Sequence, residues 1–478
     1  MTRPIETENA TQALPGSFRD PSGFMFRREG VLYRQVNPCY EPEYRSLMES
    51  GLYRKLVQEE WLVPHEEEPG LGARMNPGTN GEPCRVLRPA LIPFVSYPYE
   101  WCFSQLKEAA LLTLKIQRTA WAFGMTLKDA SAYNVQFLQG KPVWIDTLSF
   151  ERVQADEPWV AYRQFCEHFL APLALMAWKD ARLGRLIQPY FEGIPLDLAA
   201  ALLPRRTLFI PSLFLHLHLH AKSQKTFSDT RGQALSNKPL RVNPQGRSAF
   251  LDHLESALRS LRLRPKRTAW SDYYKTFGYS PEGAEQKKQL VGRFLSQVQP
   301  EPKTVWDLGA NTGMFSRIAS KRGIFTVALD ADVMCVEQNY RACLDQKEKH
   351  LLPLWMDLTN PSPPLGWAHR ERMSLQERGP ADAALALALV HHLALGNNVP
   401  LRKLAESLRS LCKWLIIEFV PKTDPQAARL LVLRKDIFPE YHLRGFEAAF
   451  EEFFVVHQKA PIAGTGRTLY LMCSKGTP

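Results

Sequence analysis

The sequence predicts an α/β fold in its carboxy-terminal half, a parallel sheet with helices on both faces, and three observations predict it. Residues 304–316 read TVWDLGANTGMFS. The apolar Val305 and Trp306 suit a buried strand, Gly309 and Gly313 suit a tight turn, and 314–321 reads as a helix. Apolar runs then recur at 325–329, 351–356, 383–390 and 411–419. They end at Asp330, at Asp357, at His391-His392 and near Glu418. Helical patterns at 333–343 and 401–411 separate them, the alternation that builds a doubly wound parallel sheet.

The turn after the first strand narrows the ligand. Nucleotide-type ligands bind at strand–loop–helix crevices of open α/β sheets. The dinucleotide fingerprint G-x-G-x-x-G lacks its third glycine here. Asp307-x-Gly309-x-Asn311-x-Gly313 instead resembles the first motif, D-x-G-x-G-x-G, of class I S-adenosylmethionine (SAM) dependent methyltransferases. Asn311 replaces the middle glycine, and asparagine enters the left-handed region readily. The competing reading is a glycine-rich turn with a purely structural role. The resemblance spans roughly residues 271–478 and implies a Rossmann-like, seven-stranded methyltransferase sheet. Two closing strands at 453–459 and 468–473 match the antiparallel hairpin that ends such sheets.

The resemblance also implies SAM as cofactor. Asp307, through water, and the backbone of Gly309, Ala310, Asn311 and Gly313 would face its methionine portion. Asp330 would accept the ribose hydroxyls, and Asp357 with Leu358 would face the adenine. On the acceptor side, Val390-His391-His392-Leu393 stands where amino-methylating enzymes carry N/D-P-P-Y, and the Pro-Cys nucleophile of cytosine C5 enzymes is missing. A small molecule or an oxygen acceptor is therefore favoured over DNA. His391, then His392, are candidate general bases, with packing or contact to the cofactor edge as the other reading. Glu418 would orient the acceptor or pair with Lys422.

A chain of 478 residues suggests about two to four domains. Residues 1–225 read as an α+β accessory domain, 226–265 as a linker with a basic helix, and 266–478 as the methyltransferase domain. The net charge of +11 is a modest excess for this length. Eight scattered cysteines form no C-x-x-C pair, so neither a zinc ribbon nor a redox motif is expected, and no metal ligand is assigned in the methyltransferase half. Residues 1–13 lack an apolar signal core, and no run of 18 apolar residues occurs. A cytoplasmic protein with no membrane partner is the expectation.

In the amino-terminal half, 24–36 reads as a hairpin, 41–61 as a helix, 66–83 as a loop, 86–94 as one or two strands and 103–123 as a helix. Next comes LKDASAYNVQFLQGKPVWIDTLSFE, with strands at 135–138 and 142–145. This segment resembles the catalytic loop and metal-binding hairpin of the protein-kinase and aminoglycoside-phosphotransferase fold. The resemblance implies ATP and Mg²⁺ as partners, Asp129 as base, and Asn134 and Asp146 as metal ligands. The departures are Lys128 before Asp129, no V-A-I-K lysine (Arg34 is the nearest cation), and Gly23 standing alone. A degenerate kinase-like domain, an active one, and an accessory domain in which Asp129 caps a turn all stay open.

Residues 158–222 read as helical and apolar, with His216, His218 and His220 on an amphipathic surface element rather than in a metal site. A polar stretch, 223–247, precedes a helix at 250–263 and the cations Arg259, Arg262, Arg264, Lys266 and Arg267. These read as a solvated face, since no RNA-binding signature accompanies them. Trp270, Tyr273, Tyr274 and Phe277 form an aromatic cluster, placed to cover the adenine, shape the acceptor pocket or pack into the core. Ser280 and Pro281 then suit the N-cap and first position of a helix to about 298. Three readings follow: a SAM-dependent methyltransferase, a bifunctional or phosphotransferase protein using ATP, and a non-catalytic SAM- or RNA-binding scaffold. The combination broadly resembles bacterial methyltransferases, some labelled nodulation proteins, a label that names no acceptor.

Overall fold

Parallel strands need long crossovers, and the carboxy-terminal half supplies one helix for nearly every strand. The computed structural model describes residues 12–69, 85–154, 157–222, 244–264, 268, 279–432 and 435–476. The chain forms two units: Met1–Tyr99, Phe103–Arg264 and Leu365–Arg372, and Glu100–Cys102, Pro265–Pro364 and Met373–Pro478.

The first unit holds an antiparallel sheet of β1 (Gln12–Ala13), β2 (Gly23–Arg28), β3 (Val31–Val36), β4 (His65–Glu67) and β5 (Arg85–Pro89), in the order β1-β2-β3-β5-β4. The expected helix over 41–61 is two helices, Glu41–Glu49 and Leu52–Gln58, because Gly51 takes a left-handed backbone, φ 82°, between them. The 86–94 stretch is one strand, β5. The expected loop at 66–83 begins inside β4, and its remainder from residue 70 lies outside the described residues. Helix Phe103–Ala122 buries Leu106, Ala109, Ala110, Thr113, Ile116, Gln117 and Ala120, the 3.6-residue stripe read from sequence. Beyond it lie β6 (Met125–Leu127), β7 (Val135–Leu138), β8 (Lys141–Trp144) and β9 (Phe150–Arg152), pairing β6-β9 and β7-β8. The 158–222 stretch is short helices rather than long ones, two of them π-helical, Cys166–Leu170 and Phe214–Leu219.

The second unit is built on seven strands: β10 (Thr304–Leu308), β11 (Phe325–Asp330), β12 (Leu351–Trp355), β13 (Ala381–Ala386), β14 (Cys412–Phe419), β15 (Phe454–Pro461) and β16 (Thr468–Ser474). Their order is β12-β11-β10-β13-β14-β16-β15. The first five in the sheet are parallel, and β16 inserts antiparallel between β14 and β15. Helix Pro281–Leu295 starts at Ser280, whose side chain accepts from the Gly283 N–H, with Pro281 in the first turn. Its Leu290, Val291, Phe294 and Leu295 pack with Val305, Leu385, Ile416 and Leu471. Ala310, Ala328, Cys343 and Leu351 form a separate small core that includes a residue of helix Val333–Gln346.

Two boundaries differ from expectation. The helix after β10 is only Ser316–Ser320, since turns occupy the residues before it. The 383–390 run stops being a strand at Ala386: Ala388 has φ 50°, and a helical turn starts at Val390. The two histidines therefore stand beyond a turn, not at the strand tip. The aromatic cluster of Trp270, Tyr273, Tyr274 and Phe277, and the cations Lys266 and Arg267, lie outside the described residues.

Within the second unit, Glu100 is fully buried and held in a fork by Arg378, at 2.6 and 2.9 Å, with the Ser362 hydroxyl also donating to it. Arg378→Ala strands a buried carboxylate. Chemical denaturation of the full chain is expected to show this unit losing about 3–5 kcal/mol; a loss near that of a surface pair would contradict this role.

Candidate active site

A doubly wound sheet binds ligands where its strand order reverses, outside the carboxyl ends of the strands. Here that point lies between β10 and β13, the two strands that flank the reversal. The turn after β10 runs Gly309, Ala310, Asn311, Thr312, Gly313, with φ of 81° at Gly309, 51° at Asn311 and 80° at Gly313. Asn311 does take the left-handed conformation that its residue type allows. At Gly313 the positive φ favours glycine, and a Cβ would stand 2.5 Å from the Asn339 side-chain amide and 2.7 Å from Arg317, both of which would have to shift. Arg317 donates to the Thr312 carbonyl at 2.8 Å and to Glu348 at 3.0 Å, fixing the end of the turn.

The turn's N–H groups point inward. Those of Gly309 and Ala310 bond the Leu329 carbonyl, that of Gly313 bonds Ala310, and that of Asn311 bonds Asp330 Oδ2 at 2.7 Å. These four donors are thus satisfied within the fold.

Asp307 and Asp330 stand on neighbouring parallel strands. Asp307 alternates with Val305, so it lies on the face covered by helix Pro281–Leu295. It is 2% exposed, and Ser316 Oγ donates to it at 2.6 Å. Burial, with Asp330 nearby, pushes its carboxyl up to about 6 despite the serine. Asp330 ends β11, accepts the N–H groups of Asn311 and Asp332, and is also pushed by burial to about 6. Both its oxygens keep spare lone pairs. Asp357 lies just past β12 and accepts from the N–H and hydroxyl of Thr359, with Leu358 half-buried beside it. The crevice thus collects Asp307, Asp330 and the glycine turn, with Asp357 two residues past the end of the next strand.

Glu418 does not pair with Lys422, which bonds Asp436 instead. It is buried in a network reaching across the fold. Lys287 donates to Glu418 Oε2 at 2.6 Å, Arg467 Nη1 lies 3.4 Å from Oε1, and the Ala388 N–H donates at 2.8 Å. The Tyr279 hydroxyl bonds Glu418 and also meets Lys287 and Arg467, while Arg467 forks onto Asp424. Burial pushes the Glu418 carboxyl up, but Lys287 and Arg467 overcome it and hold it below its ordinary value. Sequence reading missed Lys287, Arg467, Asp424, Tyr279 and Ser316. Lys287 had a signal: it falls in the apolar stripe with Leu290, Val291 and Phe294, where a lysine demands a buried partner.

His391 is fully buried, and neither ring nitrogen has a hydrogen-bond partner among the described residues. Burial, His392, Arg467 and Lys287 hold its pKa well below the usual histidine value; burial also takes His392 to about 4. The two rings lie 4.0 Å apart.

In the first unit the fold brings Asp129, Asn134 and Asp146 together. Asp129 accepts the Ser131 N–H, and burial and Asp146 raise its carboxyl above the usual value. Asp146 meets Arg34 Nη1 at 2.7 Å and Ser149 Oγ at 2.6 Å, so a guanidinium stands where the resemblance expected a metal ion. His216 bonds Tyr162 and His253, and His218 bonds Thr207. No group of three His, Cys, Asp or Glu among the described residues is arranged to hold a metal.

Asp307 binds its proton more tightly in the folded chain than an ordinary carboxyl of about 4. The cost of keeping it ionised is absent below about pH 4, grows towards about pH 6 and is complete above that. Asp307→Asn removes the cost. Thermal unfolding without ligand is expected to show a variant more stable than the parent by about 1–3 kcal/mol near pH 8, the gain vanishing near pH 4.

No family model matches the chain. Among solved structures it overlaps WbdD, bound to the kinase inhibitor LY294002, over 43% of each chain at 14% identity and a TM-score of 0.31. It overlaps magnesium protoporphyrin IX methyltransferase (ChlM) from Synechocystis PCC 6803 with bound SAM over 44% of this chain and 87% of that one, at 14% identity and a TM-score of 0.30. The N-methyltransferase NodS from Bradyrhizobium japonicum WM9 overlaps 41% of this chain and 99% of its own, at 9% identity and a TM-score of 0.30. Nodulation protein NoeA of Rhizobium meliloti (strain 1021) is 36% identical over 459 residues, 95% of this chain and 94% of that protein. With that identity held across nearly the full length of both proteins, the chain belongs to the NoeA family of nodulation proteins.

Proposed function

We propose that the second unit is a SAM-dependent methyltransferase acting on a small molecule or an oxygen acceptor rather than on DNA. One observation carries the reading: a buried carboxylate, Asp307, and a half-buried one, Asp330, stand at the reversal point of the sheet beside a left-handed Gly-x-Asn-x-Gly turn. Both are held unusually basic by burial, so a cationic or hydroxyl-bearing ligand would relieve them. The relative's name, a nodulation protein, describes a process and not a reaction.

The residues present suit SAM. The spare lone pairs of Asp330 fit the two ribose hydroxyls, and the carbonyls of the Gly309–Gly313 turn, with Asp307, fit an ammonium. Asp357 and Leu358 fit the adenine edge. Bound there, SAM supplies a methyl group on a sulfonium. The protein's task is then to hold the acceptor in line and keep water out, and such positioning can supply several orders of magnitude in rate.

His391 and His392 are proposed on the acceptor side. His391 has both nitrogens free for an acceptor hydroxyl, one as donor and one as acceptor. An imidazolium beside Lys287 and Arg467 would be costly, so its neutral ring orients the acceptor better than it stores a proton. Glu418, locked by two cations, fixes the turn at Ala388 through that residue's N–H and so positions the segment leading to His391.

A second reading concerns the first unit, where the grouping of Asp129, Asn134 and Asp146 favours a kinase-like nucleotide site. The Arg34–Asp146 pair opposes Mg²⁺ there and favours a domain that does not transfer phosphate.

Calorimetry with SAM and with S-adenosylhomocysteine is expected to show binding that Asp330→Ala weakens about a hundredfold or more, with circular dichroism unchanged. Binding indifferent to that substitution would remove the reading. In the full chain, ATP with Mg²⁺ is expected to leave the melting temperature unchanged and Arg34→Ala to permit a shift; a shift in the parent chain would mean the pair does not block the site.

A further inference from the structure

Soluble surfaces carry single exposed apolar side chains without consequence, whereas clustered ones mark an interaction site. Of seventeen large apolar side chains exposed among the described residues, five lie within residues 208–219: Leu208, Phe209, Phe214, Leu215 and Leu219. Phe209 is 86% exposed. Leu208 and Phe209 sit on the 3₁₀ turn Arg205–Phe209, and the other three on the π-helix Phe214–Leu219. Thr207 Oγ1 bonds His218 Nε2 at 2.9 Å and holds the two elements together. The opposite side of the π-helix is fixed in the unit's interior: His216 and Leu217 are buried, and His216 bonds Tyr162 and His253. The apolar side chains that remain outside are therefore not a loosely folded core.

The stretch that carries this face is basic, and exposed Asp197 stands just before it. Residues 198–228 contain no Asp or Glu, but they include Arg205, Arg206 and Lys222, all exposed. Arg206 and Arg264 both lie over the half-buried Trp178 ring, at 5.1 and 5.9 Å. Phenylalanine and leucine flanked by arginine, lysine and a tryptophan is the composition of a segment that lies in a membrane interface. Exposed cations set beside exposed apolar side chains are what an anionic lipid surface attracts, each cation near the surface contributing about 1 kcal/mol.

We infer that this face seats the protein on an anionic lipid bilayer, with Phe209, Leu215 and Leu219 in the headgroup boundary and Arg205, Arg206 and Lys222 against lipid phosphates. The sequence predicts no membrane partner because it has no spanning run, and no described helix is long and apolar enough to cross a bilayer. Lying on a surface needs neither. A methyltransferase seated there would meet acceptors that are amphiphilic or lipid-linked.

Co-sedimentation of the full chain with vesicles of phosphatidylcholine, with and without phosphatidylglycerol, tests the inference. The parent is expected to bind the anionic vesicles and to be released by salt. Arg205→Gln/Arg206→Gln is expected to weaken binding about thirtyfold, and Phe209→Ser/Leu215→Ser about a hundredfold. Both variants change exposed side chains, so their melting temperatures should match the parent's. Absence of vesicle binding by the parent, or equal binding by both variants, overturns the inference. So does sedimentation velocity showing a parent dimer that Phe209→Ser/Leu215→Ser dissociates, which would assign the face to a second copy. These outcomes do not depend on SAM binding and are read separately from it.

Discussion

The second unit is tied together by one buried charge network. Lys287 comes from the helix before the sheet, Glu418 from the end of β14, Arg467 from the residue before β16, and Asp424 from the loop after β14. Two cations and two carboxylates balance, and Tyr279 bridges both cations and Glu418. Such a network is weak evidence of stability by itself, because apolar packing of the same volume can be worth as much. Its value lies in position: it fixes the helix, the closing hairpin and the turn at Ala388 relative to one another beside the reversal point of the sheet. Half-made, it would leave a charge in the core.

Beside that balanced network stand two carboxylates that are not balanced. Asp307 has a serine and Asp330 has two backbone N–H groups, which is less than burial costs them. The same fold therefore treats its acids in opposite ways. Glu418 and Asp424 are given cations and serve the frame; Asp307 and Asp330 are given only neutral hydrogen bonds. A group kept under-compensated in the free protein has free energy to gain from a ligand, and a group already paired has little.

The first unit shows the same logic in reverse. Asp129 and Asp146 converge as a metal-binding pair would, but Arg34 occupies Asp146. Compensation by a fixed guanidinium serves the fold where compensation by a metal ion would serve chemistry. The histidines of the Phe214–Leu219 helix are also spent on internal bonds, to Tyr162, His253 and Thr207, while Phe214, Leu215 and Leu219 of that helix face outward.

The sequence by itself determined whatever is decided within a few residues. The Ser280-Pro281 start, the left-handed Asn311, the hairpin at 24–36, and the alternation of apolar runs with helical stripes were all legible, because capping, φ preference and periodicity are local. So were Asp330 at the end of its strand and Asp357 just past the next. Tertiary structure decided the pairings. Glu418 and Lys422 are close in sequence, yet Glu418 meets Lys287 and Arg467, because inserting β16 beside β14 sets Thr468 opposite Phe419 and carries Arg467 to the carboxylate. The run at 383–390 has strand composition throughout, yet it ends at Ala386, because β14 pairs with it only that far and Glu418 captures the Ala388 N–H. A buried charge takes the partner that sheet order brings to it, and sheet order is not written in any short stretch of the chain.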